Sequence, residues 1–92
     1  MILDIKHKGL RLLWEDDDVS KVQPNHLTKL RNILTLLEVA QTVEDMRFQG
    51  SDLHKLTGEL KDFWAVKVDK NYRIIFKFED GNSSGIDYLD YH

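Results

Sequence analysis

Residues 63–91 decide the fold, and they read FWAVKVDKNYRIIFKFEDGNSSGIDYLDY. Apolar residues recur at alternate positions over much of this stretch, which is typical of β-strands that bury one face. The two breaks in the pattern, at residues 69–71 and 79–82, contain the Asn and Gly residues that tolerate the positive φ of tight hairpin turns. We therefore predict three antiparallel strands in a β-meander, of which the last extends from Ser84 to about Tyr91.

The residues before the meander have helical spacing instead. After Pro24, leucines at positions 27, 30, 34 and 37 follow intervals of three and four, which predicts a helix with one apolar face that ends near Gln41. Asn25 is a candidate cap for the start of this helix. Thr42 and Asp45, three residues apart, predict a capped short turn after its end.

A shorter helix is expected over residues 8–15, and a strand that joins the sheet is expected over residues 2–6. The predicted fold class is therefore α+β, with an N-terminal strand, two helices and then an antiparallel β-meander that the helices cover on one face. At a length of 92 residues, the chain is expected to form a single domain over residues 1–92.

The composition is that of a soluble globular protein, with 41% apolar and 32% charged residues. The apolar runs are too short to span a bilayer, and the opening MILDIKHK lacks the features of a signal peptide. We therefore expect a cytoplasmic protein without a membrane partner. Because the sequence contains no cysteine, disulfides and thiolate metal sites are excluded.

The distribution of charge bears on whether the protein binds a nucleic acid. A net charge of −3 argues against general nucleic-acid binding, because phosphate contacts need clustered cations. Acidic residues are concentrated at positions 15–18, however, whereas the segment from residue 54 to residue 77 is rich in cations. These cations are Lys55, Lys61, Lys67, Lys70, Arg73 and Lys77. A local basic face is compatible with an acidic protein.

The predicted strands place several of these cations on the face opposite the apolar one. Arg73, Ile75 and Lys77 alternate with the apolar positions of one strand, and Lys67 lies on the polar side of the strand before it. Two interpretations are open. The residues form either a solvated sheet face with long side chains, or an anion site in which Arg73 presents its planar guanidinium to a phosphate.

Two histidines bear on this choice. His54 lies just before the meander, and His92 follows Asp90 and Tyr91 after the last strand. RNA cleavage without a metal needs a base for the ribose 2′-hydroxyl, an acid for the leaving 5′-oxygen and a cation for the phosphorane. The four histidines lack metal-ligand spacing and no glycine-rich phosphate loop occurs, so we expect neither a metal nor another cofactor.

Three stretches resemble a known family: HKGLRLLWE at residues 7–15, LHKLTGELKDFWAVKVDKNYRIIFKFEDG at residues 53–81, and DYLDYH at residues 87–92. They are similar to the HigB branch of the RelE superfamily, also called plasmid-maintenance killer proteins. The resemblance covers essentially the whole chain, and the DYH that follows an NYRIIF strand is specific.

The resemblance implies the toxin of a toxin–antitoxin pair, a ribosome-dependent mRNA endoribonuclease with a fold like that of microbial ribonucleases. The implied partners are the ribosome with its mRNA and a HigA-type helix-turn-helix antitoxin, through which the toxin would meet operator DNA only indirectly. The resemblance also implies that His54 and His92 transfer protons and that Arg73 stabilises the phosphate. Asp90 and Tyr91 would orient the terminal group and the substrate. Which histidine is the acid and which is the base stays open.

The chain departs from the family at Thr57, where LTGEL stands in place of the frequent LKGDL. The resemblance therefore implies that one phosphate-facing cation is missing. Lys55 and Lys67 could compensate electrostatically, and Lys77 belongs to the same expected phosphate-binding set. Two functions therefore remain open: an endoribonuclease, or a weakly catalytic relative that occupies the ribosome or acts with its antitoxin as a co-repressor. A metal-dependent nuclease is disfavoured, because the candidate ligands are few and scattered.

Overall fold

The computed structural model describes residues 1–91, in which two α-helices pack against one face of a four-stranded antiparallel sheet. The helices and strands are α1 (Lys8–Asp16), α2 (Leu27–Val39), β1 (His54–Lys55), β2 (Trp64–Lys67), β3 (Tyr72–Glu79) and β4 (Asn82–Asp90). Each strand pairs with the next along the chain, so the sheet order is β1-β2-β3-β4. This arrangement confirms the predicted α+β class and its meander.

The boundaries of α2 differ from those expected at both ends. Asn25 does not cap the helix, because it lies inside a 3₁₀ turn, Pro24–His26, and His26 occupies the cap position instead. The helix ends at Val39 because Ala40 adopts extended backbone, with φ −62° and ψ 133°. The capped turn after α2 is confirmed, since Thr42 and the residue three positions later form a capping box at the start of a second 3₁₀ turn, Val43–Met46.

The two hairpin turns of the meander are built differently. Asp80 and Gly81 both have positive φ, at 54° and 80°, which makes the β3–β4 connection the two-residue turn that the sequence predicted. The positive φ expected at the β2–β3 turn is wrong, because residues 69–71 all have negative φ. There the carboxylate of Asp69 closes the turn by accepting hydrogen bonds from the backbone N–H groups of Asn71 (2.8 Å) and Tyr72 (2.9 Å).

The edges of the sheet hold two further differences. The expected strand over residues 2–6 is reduced to two isolated parallel bridges to β4, Ile2 with Ser83 and Ile5 with Ile86. At the opposite edge lies β1, a two-residue strand that the sequence did not predict and that pairs with β2. A β-bulge also interrupts β4. There Gly85, at φ 59°, and the next residue, Ile86, together stand opposite a single residue of β3.

The core lies between the helices and one face of the sheet. The helices contribute Leu10, Leu13, Leu30, Ile33, Leu34 and Leu37, and the strands contribute Val66, Ile74, Phe76, Ile86 and Tyr88. Because these strand residues alternate along each strand, the residues between them lie on the other face, which the helices leave uncovered. Within residues 1–91, none of the helices is long and apolar enough to cross a membrane.

Candidate active site

The uncovered side of the sheet, called here the open face, carries the candidate site. One row of register partners crosses all four strands, from His54 through Ala65 and Ile75 to Asp87. The next row contains Lys67, Arg73 and Leu89. The antiparallel register therefore brings His54, Lys67 and Arg73, which are far apart in sequence, onto one surface.

The middle of the open face is apolar and is hardly accessible to solvent. Ala65 and Ile75 are 0% and 4% exposed, although they face away from the helices. Strands lie about 4.8 Å apart, so the His54 backbone stands about 10 Å from β3, with the small side chain of Ala65 between them. The imidazole of His54 therefore lies on one side of this apolar middle, and Arg73 and Asp87 lie on strands on its other side.

His54 is held by the backbone of the loop before β1. Its Nδ1 lies 2.7 Å from the main-chain oxygen of Asp52, and because a carbonyl oxygen can only accept, Nδ1 carries a proton. The other ring nitrogen, Nε2, is therefore the atom that can exchange a proton with a substrate. Asp52 adopts a left-handed backbone conformation, with φ 48°, which is uncommon for a residue other than glycine. The strained residue is thus the one that holds the imidazole.

The loop that carries Asp52 and His54 is anchored to the sheet. Ser51 is 1% exposed, and its hydroxyl accepts a hydrogen bond from the N–H of Phe48 (3.2 Å). Its main-chain oxygen accepts from the N–H of Lys67 in β2 (2.7 Å). Since Lys67 also lies on the open face, the same strand positions the loop and one of the site's cations.

Arg73 is the central cation of the open face. Its Nη1 donates to the main-chain oxygens of Asp69 (2.7 Å) and Tyr72 (3.1 Å), and its guanidinium lies over the ring of Tyr91, 5.4 Å from the ring centroid. Its Nε is buried and has no hydrogen-bond partner among the described residues. A buried donor without a partner costs about 1–3 kcal/mol. The side chain is therefore not placed for the stability of the fold alone.

The three candidate lysines occupy different places. Lys67 is the register partner of Arg73 and stands beside it. Lys77 lies on the same face but nearer the other end of β3, where its Nζ sits over the ring of Phe63, 5.2 Å from the centroid. Lys55 pairs with Trp64, whose side chain packs against the core, and its Nζ lies over that ring at 5.3 Å. Only Lys67 is thus brought directly beside the guanidinium.

The end of the chain is only partly placed. Tyr91 is exposed, and its N–H donates to the main-chain oxygen of Asn71, which fixes it beside Arg73. Asp90 is exposed and is the register partner of Tyr72. By strand alternation, this position lies on the side of the sheet that the helices cover. His92 lies outside the described residues, so its role and that of Asp90 stay predictions.

Two groups were not predicted from the sequence. Asp87 places a carboxylate on the open face, opposite Ile75, and the alternation of Ile86 and Tyr88 around it was a usable signal. The other is His26, which is 4% exposed; its Nε2 lies 2.7 Å from Oδ2 of Asp69, and its Nδ1 meets the Tyr88 hydroxyl. No spacing in the sequence predicts the burial of His26, because its partners come from the distant sheet.

The electrostatics of this buried cluster follow from its contacts. The pKa of Asp69 is lowered to about 2, chiefly by the hydrogen bond from the N–H of Asn71 and then by that from His26. The pKa of Tyr88 is raised to about 12, chiefly by burial. Within residues 1–91, no group of three or more His, Asp or Glu side chains is arranged to hold a metal ion.

The fold resembles that of solved RelE-family toxins. The crystal structure of YafQ from E. coli strain BL21(DE3) superposes with a TM-score of 0.54 at 17% identity, covering 95% of this chain and 91% of that one. A single-residue mutant of YafQ superposes over the same shares with a TM-score of 0.52. At this level of identity the likeness establishes a shared fold.

Sequence comparison narrows the class to one family. A family model described as the RelE-like toxin of the type II toxin-antitoxin system HigB matches residues 3–92, and the chain belongs to this HigB-like toxin family. Endoribonuclease HigB of Proteus vulgaris is 34% identical over 92 residues, covering all of both chains. Toxin HigB-1 of Vibrio cholerae serotype O1 is 35% identical over 94 residues, covering all of this chain and 98% of its own. The resemblance found in the sequence is confirmed, and the name of the first relative supports endoribonuclease activity for the family.

Proposed function

We propose that this protein is a toxin that cleaves messenger RNA on the ribosome without a metal ion. The observation that carries the proposal is the shared open face, on which His54 offers Nε2 while Lys67 stands one strand away and Arg73 two strands away. Family membership and the name of the Proteus relative support RNA as the substrate. The separation of about 10 Å between β1 and β3 leaves room for a phosphodiester between the imidazole and Arg73.

The reaction proceeds by attack of a ribose 2′-oxygen on the adjacent phosphorus. Nε2 of His54 accepts the 2′-hydroxyl proton as the O2′–P bond forms, while the main-chain oxygen of Asp52 keeps Nδ1 protonated and the ring oriented. Arg73 and Lys67 stabilise the negative charge that accumulates on the phosphorane. The P–O5′ bond then breaks, and a proton passes to O5′, for which His92 is the proposed donor. The products are a 2′,3′-cyclic phosphate and a 5′-hydroxyl.

The proposed partners follow from the same assignment. Membership of a type II toxin family implies an antitoxin, and we assign a HigA-type helix-turn-helix protein to that role. The toxin then reaches operator DNA only through the antitoxin, and it acts in the cytoplasm, where ribosomes translate the message. Tyr91, which lies beside Arg73, orients the substrate, and Asp90, at the end of β4, orients the terminal histidine. Lys55 and Lys77 contribute to the attraction of the RNA at longer range.

A second candidate function is supported by Thr57. This residue is exposed in the loop between β1 and β2, at the position where the resemblance described above leads us to expect lysine. A protein short of one cation would cleave weakly and would arrest translation by occupying the ribosome. Growth arrest without cut message would favour this second function.

The proposal is tested with purified protein and ribosomes that carry a defined message. We expect cleavage of ribosome-bound message with 2′,3′-cyclic phosphate and 5′-hydroxyl ends, and no cleavage when the nucleotide at the cut site lacks its 2′-hydroxyl. Arg73→Ala is expected to lose about 10²–10³ in rate while binding ribosomes normally, and Arg73→Lys to cleave poorly because the planar fork is gone. Products with 5′-phosphate ends, or cleavage of the 2′-deoxy message, would refute the mechanism.

A further inference from the structure

The backbone of the turn between β2 and β3 and the side chain of Asp69 in that turn contact different parts of the protein. Its main-chain oxygens at Asp69 and Tyr72 hold the guanidinium of Arg73, and the oxygen of Asn71 accepts from the N–H of Tyr91. The Asp69 carboxylate instead lies toward the helices. The turn therefore carries the central cation of the open face and the start of the terminal segment.

The Asp69 carboxylate is held from three directions. Oδ1 accepts the backbone N–H groups of Asn71 and Tyr72, and Oδ2 meets Nε2 of His26 at 2.7 Å. Because a carboxylate can only accept, Nε2 of His26 donates, and Nδ1 is left for the hydroxyl of Tyr88. The imidazole thus links the turn to Tyr88, a core residue of β4.

His26 itself has little freedom to move. It is 4% exposed, it is the last residue of the 3₁₀ turn and the cap of α2, and the rings of Tyr72 and Tyr88 stand edge-on to it at centroid distances of 4.8 and 5.9 Å. A buried imidazole that is packed against two rings and bonded to the Asp69 carboxylate is a rigid support for the exposed turn. The geometry of the turn is therefore fixed from the helix side of the sheet.

We infer that His26 is a positioning residue for Arg73, acting through the Asp69 carboxylate and the backbone of the β2–β3 turn. Arg73 is held in the described structure by two main-chain oxygens of this turn rather than by a carboxylate, so its position follows the turn. A displacement of about 1 Å can cost on the order of 10² in rate. The inference rests on the proposed cleavage, in which Arg73 stabilises the phosphorane.

The test compares two substitutions of His26 in the ribosome cleavage assay. His26→Leu keeps the bulk of the side chain but removes the donor, and we expect kcat to fall between about 10- and 100-fold with KM and ribosome affinity unchanged. His26→Gln retains an N–H that can reach Asp69, and most of the lost kcat is expected to return. Tyr88→Phe is the matched control, because it removes the other partner of His26 and leaves the Asp69 contact; its kcat should stay near that of the wild type.

A double-mutant cycle identifies the route of the effect. If His26 acts through Arg73, His26→Leu causes no further loss of cleavage in the Arg73→Ala background. Independent, multiplying losses would overturn the inference, as would a His26→Leu protein with wild-type kcat. If His26→Leu fails to fold, Asp69→Ala in the exposed turn replaces it in the cycle with the same expected and contradicting results. If Arg73→Ala cleaves at the wild-type rate, the proposed mechanism fails. If Arg73→Ala loses cleavage but the His26 and Asp69 variants cleave at the wild-type rate, only the positioning role of His26 is overturned.

Discussion

Lys67 and Arg73 stand directly opposite each other on β2 and β3, so two cations are cross-strand neighbours on the open face. Facing residues of an antiparallel pair have Cβ atoms about 4.5–5.5 Å apart, and like charges at that separation destabilise the sheet. In the row beside them, Ala65 and Ile75 on the same two strands are uncharged, and a carboxylate, Asp87, stands on β4. A phosphate between the two cations would remove the repulsion, and this favours an anion site over a merely solvated face.

Removing the charge of Lys67 is therefore expected to have opposite effects on stability and on cleavage. Lys67→Gln should keep or slightly raise the thermal melting temperature, because it relieves repulsion with Arg73. Cleavage of ribosome-bound message should fall about 10- to 100-fold, corresponding to one charge-assisted hydrogen bond of about 1.5–3 kcal/mol. Lys29→Gln is the matched control, since it removes the same charge from α2. Equal losses of cleavage in both variants would show that the loss comes from the change in net charge and not from the position of Lys67.

A second prediction concerns how His54 is held. The contact from Asp52 uses its main-chain oxygen, so the side chain of Asp52 is dispensable. Asp52→Gly, which also suits the left-handed φ of 48°, should retain cleavage within a few-fold, whereas His54→Ala should abolish it with little change in melting temperature. Both are measured by cleavage and thermal melting. If Asp52→Gly cleaves as poorly as His54→Ala, the carboxylate takes part in the reaction.

The fold was largely predictable because its signals are local. Alternating apolar residues define β2 to β4, leucine spacing defines α2, and the Asp80-Gly81 pair defines the tight hairpin. The two-residue strand β1 was not predictable, since a pairing of that length leaves no period to detect. The N-terminal segment was expected as a strand, and it forms only two bridges to β4. How far such edge pairing extends depends on the neighbouring strand, which the local pattern does not describe.

The site was predictable to the extent that strand alternation determines it. Alternation placed Arg73 and Lys67 on the open face. The same rule places Asp90 and Lys55 on the opposite face of the sheet. Neither the strand pairing of His54 nor the burial of His26 follows from alternation. His54 reaches the open face only through β1, and His26 finds Asp69 across 43 residues of sequence. Long-range pairing of this kind is fixed by packing, which a periodic pattern does not encode.

A third prediction concerns acid stability. The pKa of Asp69 is about 2 in the folded protein, below its ordinary value of 3.8, so folding favours the carboxylate. Its stabilising contribution is therefore complete above about pH 4 and is lost as the pH falls toward 2. In urea unfolding between about pH 5 and pH 2, Asp69→Asn should show a weaker loss of stability than the wild type. Asp16→Asn, at the end of α1, is the control, and an identical loss in Asp69→Asn and wild type would contradict the assignment.

A fourth prediction tests the packing of α1 on the loop that follows it. A Cβ added at Gly9 would lie 2.5 Å from the main-chain oxygen of Lys21, which is closer than such atoms approach. Alanine gains about 1 kcal/mol over glycine inside a helix, but overpacking costs about 1–3 kcal/mol, and the short contact with backbone should win. Gly9→Ala is thus expected to lower the melting temperature by several degrees. An equal or higher melting temperature would show that the loop yields freely.

The last prediction asks whether the missing family cation limits this protein. Thr57 is exposed and extended, with φ −125° and ψ 174°, so lysine fits its backbone without strain and should leave the melting temperature unchanged. Thr57→Lys places a positive charge three residues after His54, in the loop that leads into β2, where it can contact a phosphate of the bound message. We expect faster cleavage or tighter ribosome binding, with a steeper dependence on salt concentration because one more phosphate contact releases one more counterion. Thr28→Lys, on α2, adds the same charge away from the open face and serves as the control. If both variants gain equally, attraction to the ribosome limits the rate; if neither gains, Lys67 and Arg73 already supply the charge that the cleavage step needs.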